Sequence, residues 1–410
     1  MKIIVVGAGI VGTTAAIMLL RDGHDVILVD CNPPGSGCSH GNAGSLSAGS
    51  CTPLSVPGQL RQIPGWLLDP LGPLHIRARY LPRVLPWLIR FALAADARKI
   101  DDKADAMHAM HRDVIAGYSA LLEGTVGMDL FEVSGVLQAY TSEKPLDASL
   151  DWHLRQARGV RQEVIGSDRL RQIAPDLSHD FVQGVLLPDH GFVIQPHLFV
   201  EALAERFATQ GGRIFRARVN ALRVDAGGVV TGVATTLGEM AADKVVLCAG
   251  AWSNRLLAPF RIGIPLETQR GYHASVLGAN IRPALPIVAS EAKIYASPMR
   301  DGLRFAGTVE FAGLDAPPDY RRSGAALQLA RRMFPALECD GVEEWMGHRP
   351  CLPDSLPVVG PVTGLGSLYV NFGHGHYGMT ASPGSAALLA AMISERPTPF
   401  DPRPYSPARF

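Results

Sequence analysis

Two glycine-rich turns and one arginine carry the chemistry that can be read directly from this sequence. The first turn is Gly7-Ala8-Gly9-Ile10-Val11-Gly12, preceded by the apolar, β-branched run 3–6. Ala15, Ala16, Met18, Leu19 and Leu20 follow at helical spacing, and a second apolar run, 26–29, ends on Asp30. G-x-G-x-x-G between strand and helix, with an acidic residue about 20 positions on, is the pattern of a dinucleotide site. Gly7 permits the tight turn, and Gly9 brings the backbone of Ile10 and Val11 close to a pyrophosphate. Gly12 allows the helix to approach the strand. The helix start offers free N–H groups and a positive dipole end to phosphate, and Asp30 can accept hydrogen bonds from a ribose. The second turn is Gly373-His374-Gly375-His376-Tyr377-Gly378-Met379-Thr380, leading into an apolar helix over 386–393. Arg349, in Gly347-His348-Arg349-Pro350, supplies a planar guanidinium able to grip a carboxylate through two parallel hydrogen bonds. No histidine or cysteine spacing fits a metal site.

The elements that must position these groups fit a chain of two domains. At 410 residues the chain is too long for one ordinary domain. A hydrophobic content of 47% with 19% charged residues gives a large core. The formal net charge of +0 provides no electrostatic footprint for nucleic acid. The six cysteines read as reduced thiols. No leader precedes the first strand and no run reaches membrane-spanning length, so a cytoplasmic protein is expected. Strands or hairpins are expected at 128–140, 182–187 and 219–233, and helices at 146–158, 168–174 and 197–210. The segment 101–122 reads as a structural helix with His108 and His111 on its surface. Residues 244–253 form a buried strand turning on Gly250. A strand-rich excursion at 269–277, 286–295 and 303–311 reads as an antiparallel sheet with one solvated face.

After Asp30 comes a loop dense in Gly, Ser, Pro and Asn that contains Ser39-His40-Gly41-Asn42-Ala43-Gly44. With the N-terminal motif and the C-terminal G-H-G-x-x-G-x-T, this S-x-x-N-A-G stretch resembles the D-amino-acid oxidase superfamily of flavoproteins, most closely its D-amino-acid dehydrogenase branch. The resemblance spans essentially the whole chain. It implies an α/β protein with a Rossmann-type FAD-binding domain (1–60, 190–261 and 346–410) and a discontinuous antiparallel-sheet substrate (cap) domain (61–189 and 262–345). FAD is then held non-covalently, with Ser39, Asn42, Ala43 and Gly44 along the pyrophosphate and flavin, Val219 at the adenine and Gly250 near the cofactor. Reduced flavin carries negative charge on its N1–C2=O edge, which Gly373, Gly375, Gly378 and Thr380 at a helix start can stabilise. By the same resemblance Arg349 binds the substrate carboxylate and Tyr272 donates to it. His374 and Tyr377 lie on loops beside the flavin. The implied reaction is hydride loss from Cα of a D-amino or cyclic D-imino acid, D-alanine-like or D-proline/cis-4-hydroxy-D-proline, with electrons passing to a quinone or other carrier. Sarcosine-oxidase-type relatives use a lysine to promote reaction with oxygen, where the similar segment Gly302-Leu303-Arg304-Phe305 has arginine. That departure favours a dehydrogenase. A glycine/sarcosine-type amine oxidase producing hydrogen peroxide, and a flavin-binding subunit requiring a partner chain, are the alternatives.

The stretch 60–100 is apolar and aromatic, broken by Pro70, Pro73, Pro82 and Pro86 and studded with Arg77, Arg79, Arg83 and Arg90. It reads first as core-facing helices with solvated arginines. Its second reading is a peripheral contact with the cytoplasmic face of the inner membrane.

Overall fold

A computed structural model describes residues 1–60, 62–69 and 72–410. Its centre is a six-stranded sheet in the order Arg213–Arg216, Asp25–Asp30, Lys2–Val6, Lys244–Leu247, Leu368–Phe372 and Val358–Pro361. All neighbours in it are parallel except the last pair. The continuous apolar runs arise because both faces are covered. Ile3, Val5, Val26 and Leu28 pack under helices Ile10–Arg21, Pro196–Thr209 and Gly378–Ile393. Their alternates Ile4, Val6, Ile27 and Val29 pack with Leu222, Val230 and Val233 of a three-stranded sheet on the opposite side. The period-two pattern thus feeds two cores from the same strands.

A second, ten-stranded sheet is built from Leu74–Ile76, Val136–Tyr140, Glu163–Gly166, Gln183–Leu187, Glu267–Leu277, Ile287–Ala289, Ile294–Met299, Gly302–Ala306, Val309–Phe311 and Gly341–Cys351. Glu267–Leu277 pairs over its full length with Gly341–Cys351. The boundary expected at 345/346 therefore cuts a continuous strand. The segment 286–295 is not one strand but a hairpin continuing to Met299, and 128–140 opens with a 3-10 turn, Val126–Leu130. The final helix begins at Gly378, eight residues before the apolar run that announced it.

His111 is a correction. It is 3% exposed, and its Nδ1 contacts the Ser50 carbonyl at 2.7 Å. The stretch 60–100 contains helices Ile63–Leu68 and Leu81–Ala94 and strand Leu74–Ile76, while Pro70 lies outside the described residues. Val84 and Trp87 are buried, whereas Leu81, Leu85, Ile89 and Leu93 are exposed. Arg77 is only partly solvated: its side chain is 26% exposed and donates to the fully buried Glu310 at 2.6 Å.

Candidate active site

Between the two sheets lies a cavity of about 1260 Å³, reached by both glycine-rich turns and by Arg349. The first turn is formed by close backbone approach. A Cβ on Gly12 would lie 1.8 Å from the Gly7 carbonyl oxygen, and one on Gly7, whose φ is +109°, 2.5 Å from that of Cys248. Only glycine fits either position. Asp30 Oδ2 accepts from the Ala8 N–H at 2.7 Å, and Oδ1 from the Asn32 N–H at 2.9 Å. Its carboxylate thus tensions the turn while lining the cavity. Ser39 Oγ accepts from the Ile10 N–H at 3.0 Å, capping a helix whose own N-cap, Gly9, has no side chain.

Most of the remaining sequence-derived residues line the same space, whereas Gly44 and Gly373 shape the turns behind it without lining it. Asn42 Oδ1 accepts from the Gly44 N–H at 2.7 Å, an Asx turn that shapes the loop. Arg304 donates to the Asn42 carbonyl at 2.7 Å and Ser297 to that of Ala43 at 2.6 Å. Val219 and Gly250 line the cavity near Ala217 and Ala249. Gly378 and Thr380 line it at the start of the last helix, which has no acidic residue in its first turn. Thr380 Oγ1 donates to the Ser45 carbonyl and accepts from the Ser47 N–H, tying that helix to the S-x-x-N-A-G loop. Gly373 and Gly375 take φ values of +88° and +55° in the turn between strand and helix.

Two side chains here lack partners, and they test the fit of a flavin. Asn371 is fully buried with neither Oδ1 nor Nδ2 hydrogen-bonded, and His374, 3% exposed, has neither ring nitrogen bonded. Both line the cavity. Buried polar atoms are rarely left unpaired in a protein, and a polar heterocycle in this space would supply both donors and acceptors. Two helix starts, a glycine-rich cradle, a cavity-lining acid and these unpartnered atoms together fit FAD. Burial lowers the His374 pKa to about 3, so its imidazole is neutral. Burial raises that of Tyr377 to about 12, and its ring packs 5.0 Å from His111.

Arg349 is positioned by a missing side chain. It pairs in register with Gln269, and its guanidinium lies across Gly271, where a Cβ would sit 2.1 Å from Cζ. Nη1 donates to the Thr308 carbonyl at 2.9 Å, and the rest of the fork faces the cavity. Beside it His376 Nε2 contacts Gln269 Oε1 at 3.1 Å. Burial first, and the Arg349 charge second, lower the His376 pKa to about 3, leaving Arg349 the cation of this corner.

Tyr272 borders the cavity, but its hydroxyl is engaged elsewhere. It falls on the alternate face of the strand, with Arg270. Its hydroxyl donates to Glu310 Oε2 at 2.6 Å and accepts from the Asp319 N–H at 2.9 Å. Its one proton is committed to Glu310, so it makes no donation to a carboxylate held by Arg349. Sequence reasoning missed Gly271, Gln269, Asn371 and Glu310. Gly271 carried a signal, a glycine inside an otherwise β-forming run. Arg304 is held by the Asn42 carbonyl and Ser275 Oγ, and burial lowers its pKa to about 10.

Comparison with known proteins agrees with this geometry. The model of the FAD dependent oxidoreductase family, DAO, matches residues 2–392. A protein of Bradyrhizobium diazoefficiens named D-amino-acid oxidase is 38% identical over 99% of this chain and 98% of its own length. One of Sinorhizobium medicae named D-amino acid dehydrogenase is 32% identical over the full length of both. Among solved structures, L-proline dehydrogenase from P. horikoshii superposes with a TM-score of 0.76 at 18% identity, covering 100% of this chain and 97% of that one. Glycine oxidase from Geobacillus kaustophilus gives 0.75 at 22%, covering 100% and 99%. At these identities the structural matches speak for the fold alone.

Proposed function

The chain belongs to the DAO family of FAD-dependent oxidoreductases, and on that footing we propose that it oxidises D-amino or cyclic D-imino acids at Cα. Arg349 carries this reading. It is a guanidinium anchored by Nη1 on Thr308, presented to the cavity across Gly271, with neutral His376 beside it. The fork grips the substrate carboxylate and fixes the direction of the Cα–H bond. Bound FAD supplies the acceptor for the two electrons and the α-hydrogen. Gly7, Gly9, Gly12, Ser39 and Asp30 would hold its dinucleotide end, and Asn371, His374 and the first turn of the last helix would face its ring. His374 and His376 are uncharged near neutral pH, so neither repels the substrate amine. Loss of hydride from Cα and of the amine proton leaves an imine. For a primary amine, water then releases ammonia and the keto acid.

The test is anaerobic bleaching of the flavin by D-alanine, D-proline, cis-4-hydroxy-D-proline, their L-forms, glycine and sarcosine. Bleaching by D-forms alone supports the reading, and bleaching by glycine or sarcosine alone refutes it.

For the electron acceptor we favour a membrane quinone. Helix Leu81–Ala94 exposes Leu81, Leu85, Ile89 and Leu93 (44%, 48%, 52% and 75%) at four-residue spacing. Arg79, Arg83 and Arg90 flank this stripe, and no acidic residue occurs between Arg77 and Asp96. Leu88 and Phe91 of the same helix line the cavity, so an anionic bilayer on the outer face would lie beside the cavity mouth. Among the described residues no helix is long and apolar enough to cross a membrane. Co-sedimentation with anionic vesicles, lost on replacing Arg79, Arg83 and Arg90, is the expected result; no binding by the wild type rejects it. A D-amino-acid oxidase passing its electrons to oxygen is the second reading, favoured by the name of the 38% identical relative. Rapid return of flavin colour in air, with peroxide, would establish it.

A further inference from the structure

We propose that the cavity selects D-amino acids with large, uncharged apolar or aromatic side chains, a substrate class that rests on the carboxylate grip of Arg349. The argument is one of strand parity. Glu310 stands opposite Arg270, so Val309 and Phe311 on either side of it project to the other face, beside Gly271 and Gln269, where Arg349 lies. Leu74 and Ile76 pair in register with Val309 and Phe311 and extend that face. The ionic alternates Arg270 and Glu310 are collected on the far side, where the Tyr272 hydroxyl reaches Glu310 although Tyr272 also borders the cavity. The sheet therefore segregates ionic groups to one face and presents a continuous apolar surface running away from the guanidinium.

Helix Leu81–Ala94 closes the space above this surface. Trp87 stacks on Phe91 at 5.3 Å and meets Phe311 at 5.4 Å, in a cluster that also includes Cys351, two residues from Arg349 on the same face. Leu74, Ile76, Leu88, Phe91 and Val309 pack against this cluster yet remain half-buried, with surface turned to the cavity. Among the described residues none of the charged side chains lining the cavity comes from this wall. Glu267, an acid on the Arg349 face, accepts from the Tyr80 hydroxyl and does not line the cavity. A lysine, arginine or carboxylate side chain would find no counter-charge here, at a desolvation cost. An alkyl or aryl group would cover surface that is otherwise wet. The Trp87 indole N–H is buried without a partner and can only donate, so an uncharged acceptor such as a phenol oxygen is tolerated.

The experiment uses the holoenzyme and two readouts. Rapid-mixing flavin reduction compares D-phenylalanine and D-leucine with D-alanine, D-lysine and D-aspartate. Calorimetry compares the unreactive acids propionate and 3-phenylpropionate. Each buried methylene should tighten binding about fourfold, and the phenyl group roughly 10- to 100-fold. Leu88→Glu should lower the D-phenylalanine to D-lysine preference at least about tenfold by supplying the missing counter-charge. Equal binding of the two acids, with equal reduction by all neutral D-forms, overturns the proposal while leaving the D-amino-acid reading intact. No reduction by any D-form, with 3-phenylpropionate still the tighter ligand, overturns that reading and keeps the apolar pocket. If the Leu88 variant does not fold, the wild-type ligand series decides alone.

Discussion

Gly271→Ala should disable substrate binding without disturbing the cofactor. The added methyl would stand 2.1 Å from Cζ and 2.2 Å from Nη2 of Arg349. Contact opens only near 3.4 Å, so the guanidinium must retreat by about 1.3 Å, against its anchor on the Thr308 carbonyl. Gly271 is not among the positive-φ glycines, so alanine brings no backbone strain. The cost falls on the fork. Charge-assisted hydrogen bonds are each worth about 1.5–3 kcal/mol, and weakening one or both predicts a loss of about 2–4 kcal/mol. That is about 30- to 1000-fold in the ratio of reduction rate to dissociation constant. Anaerobic rapid mixing on protein of unchanged flavin content measures it. In an Arg349→Ala background the same substitution should cost less than about threefold, because its target is gone. An equal loss in both backgrounds would show that Gly271 acts through something other than Arg349.

Three further outcomes follow from the geometry. Gly12→Ala should yield protein without flavin absorbance, since its methyl meets backbone at 1.8 Å; normal loading would contradict the cradle. Tyr272→Phe should lower thermal stability by about 1–3 kcal/mol by removing a donor from buried Glu310, yet leave substrate affinity within about twofold. A tenfold weaker substrate would restore the tyrosine to the carboxylate site. Stability should also fall in acid. Burial lowers His111 to about 4 and His190, His273 and His374 to about 3, all at 3–4% exposure. Unfolded histidine titrates near 6.5, so below that pH the unfolded chain binds more protons than the folded one. Stability is complete above about pH 6.5 and declines by about 1.4 kcal/mol per unit for each histidine as the pH falls toward 4. Urea midpoints equal at about pH 7.5 and 5.5 would refute this.

The parts of the site legible in sequence are those made by backbone. A glycine that cannot bear a Cβ, a strand that must be apolar on both faces and a helix start leave marks within a few residues, and so the first 30 residues could be read almost completely. Contacts between distant segments leave no such mark. Nothing near Tyr272 announces Glu310, 38 residues on, and the hydroxyl's commitment appears only once the strands are in register. His111 looked like a surface residue because Asp101, Asp102, Lys103 and Arg112 surround it in sequence, whereas the 47–50 loop packs over it in space. Gly378, Ser382, Pro383 and Gly384 resemble a loop by propensity, so of helix Gly378–Ile393 the sequence marks only 386–393. In the fold Gly384 is instead required by Met110, whose carbonyl oxygen would lie 2.2 Å from a Cβ.

The pairing of Glu267–Leu277 with Gly341–Cys351 restricts how this protein can change over generations. Eleven residues of each strand are matched one to one, and the face that each side chain occupies depends only on whether its position is odd or even. Inserting or deleting one codon within either strand would bring Arg270 to the cavity and turn Gln269 outward, exchanging an ionic interior for a binding surface along the whole length beyond the event. Length variation among descendants of this gene should therefore accumulate in the flanking loops, and within the strands only point substitutions should survive. Those at Val309, Phe311, Leu74 and Ile76 can alter what the cavity accepts while the residues that hold the carboxylate stay as they are.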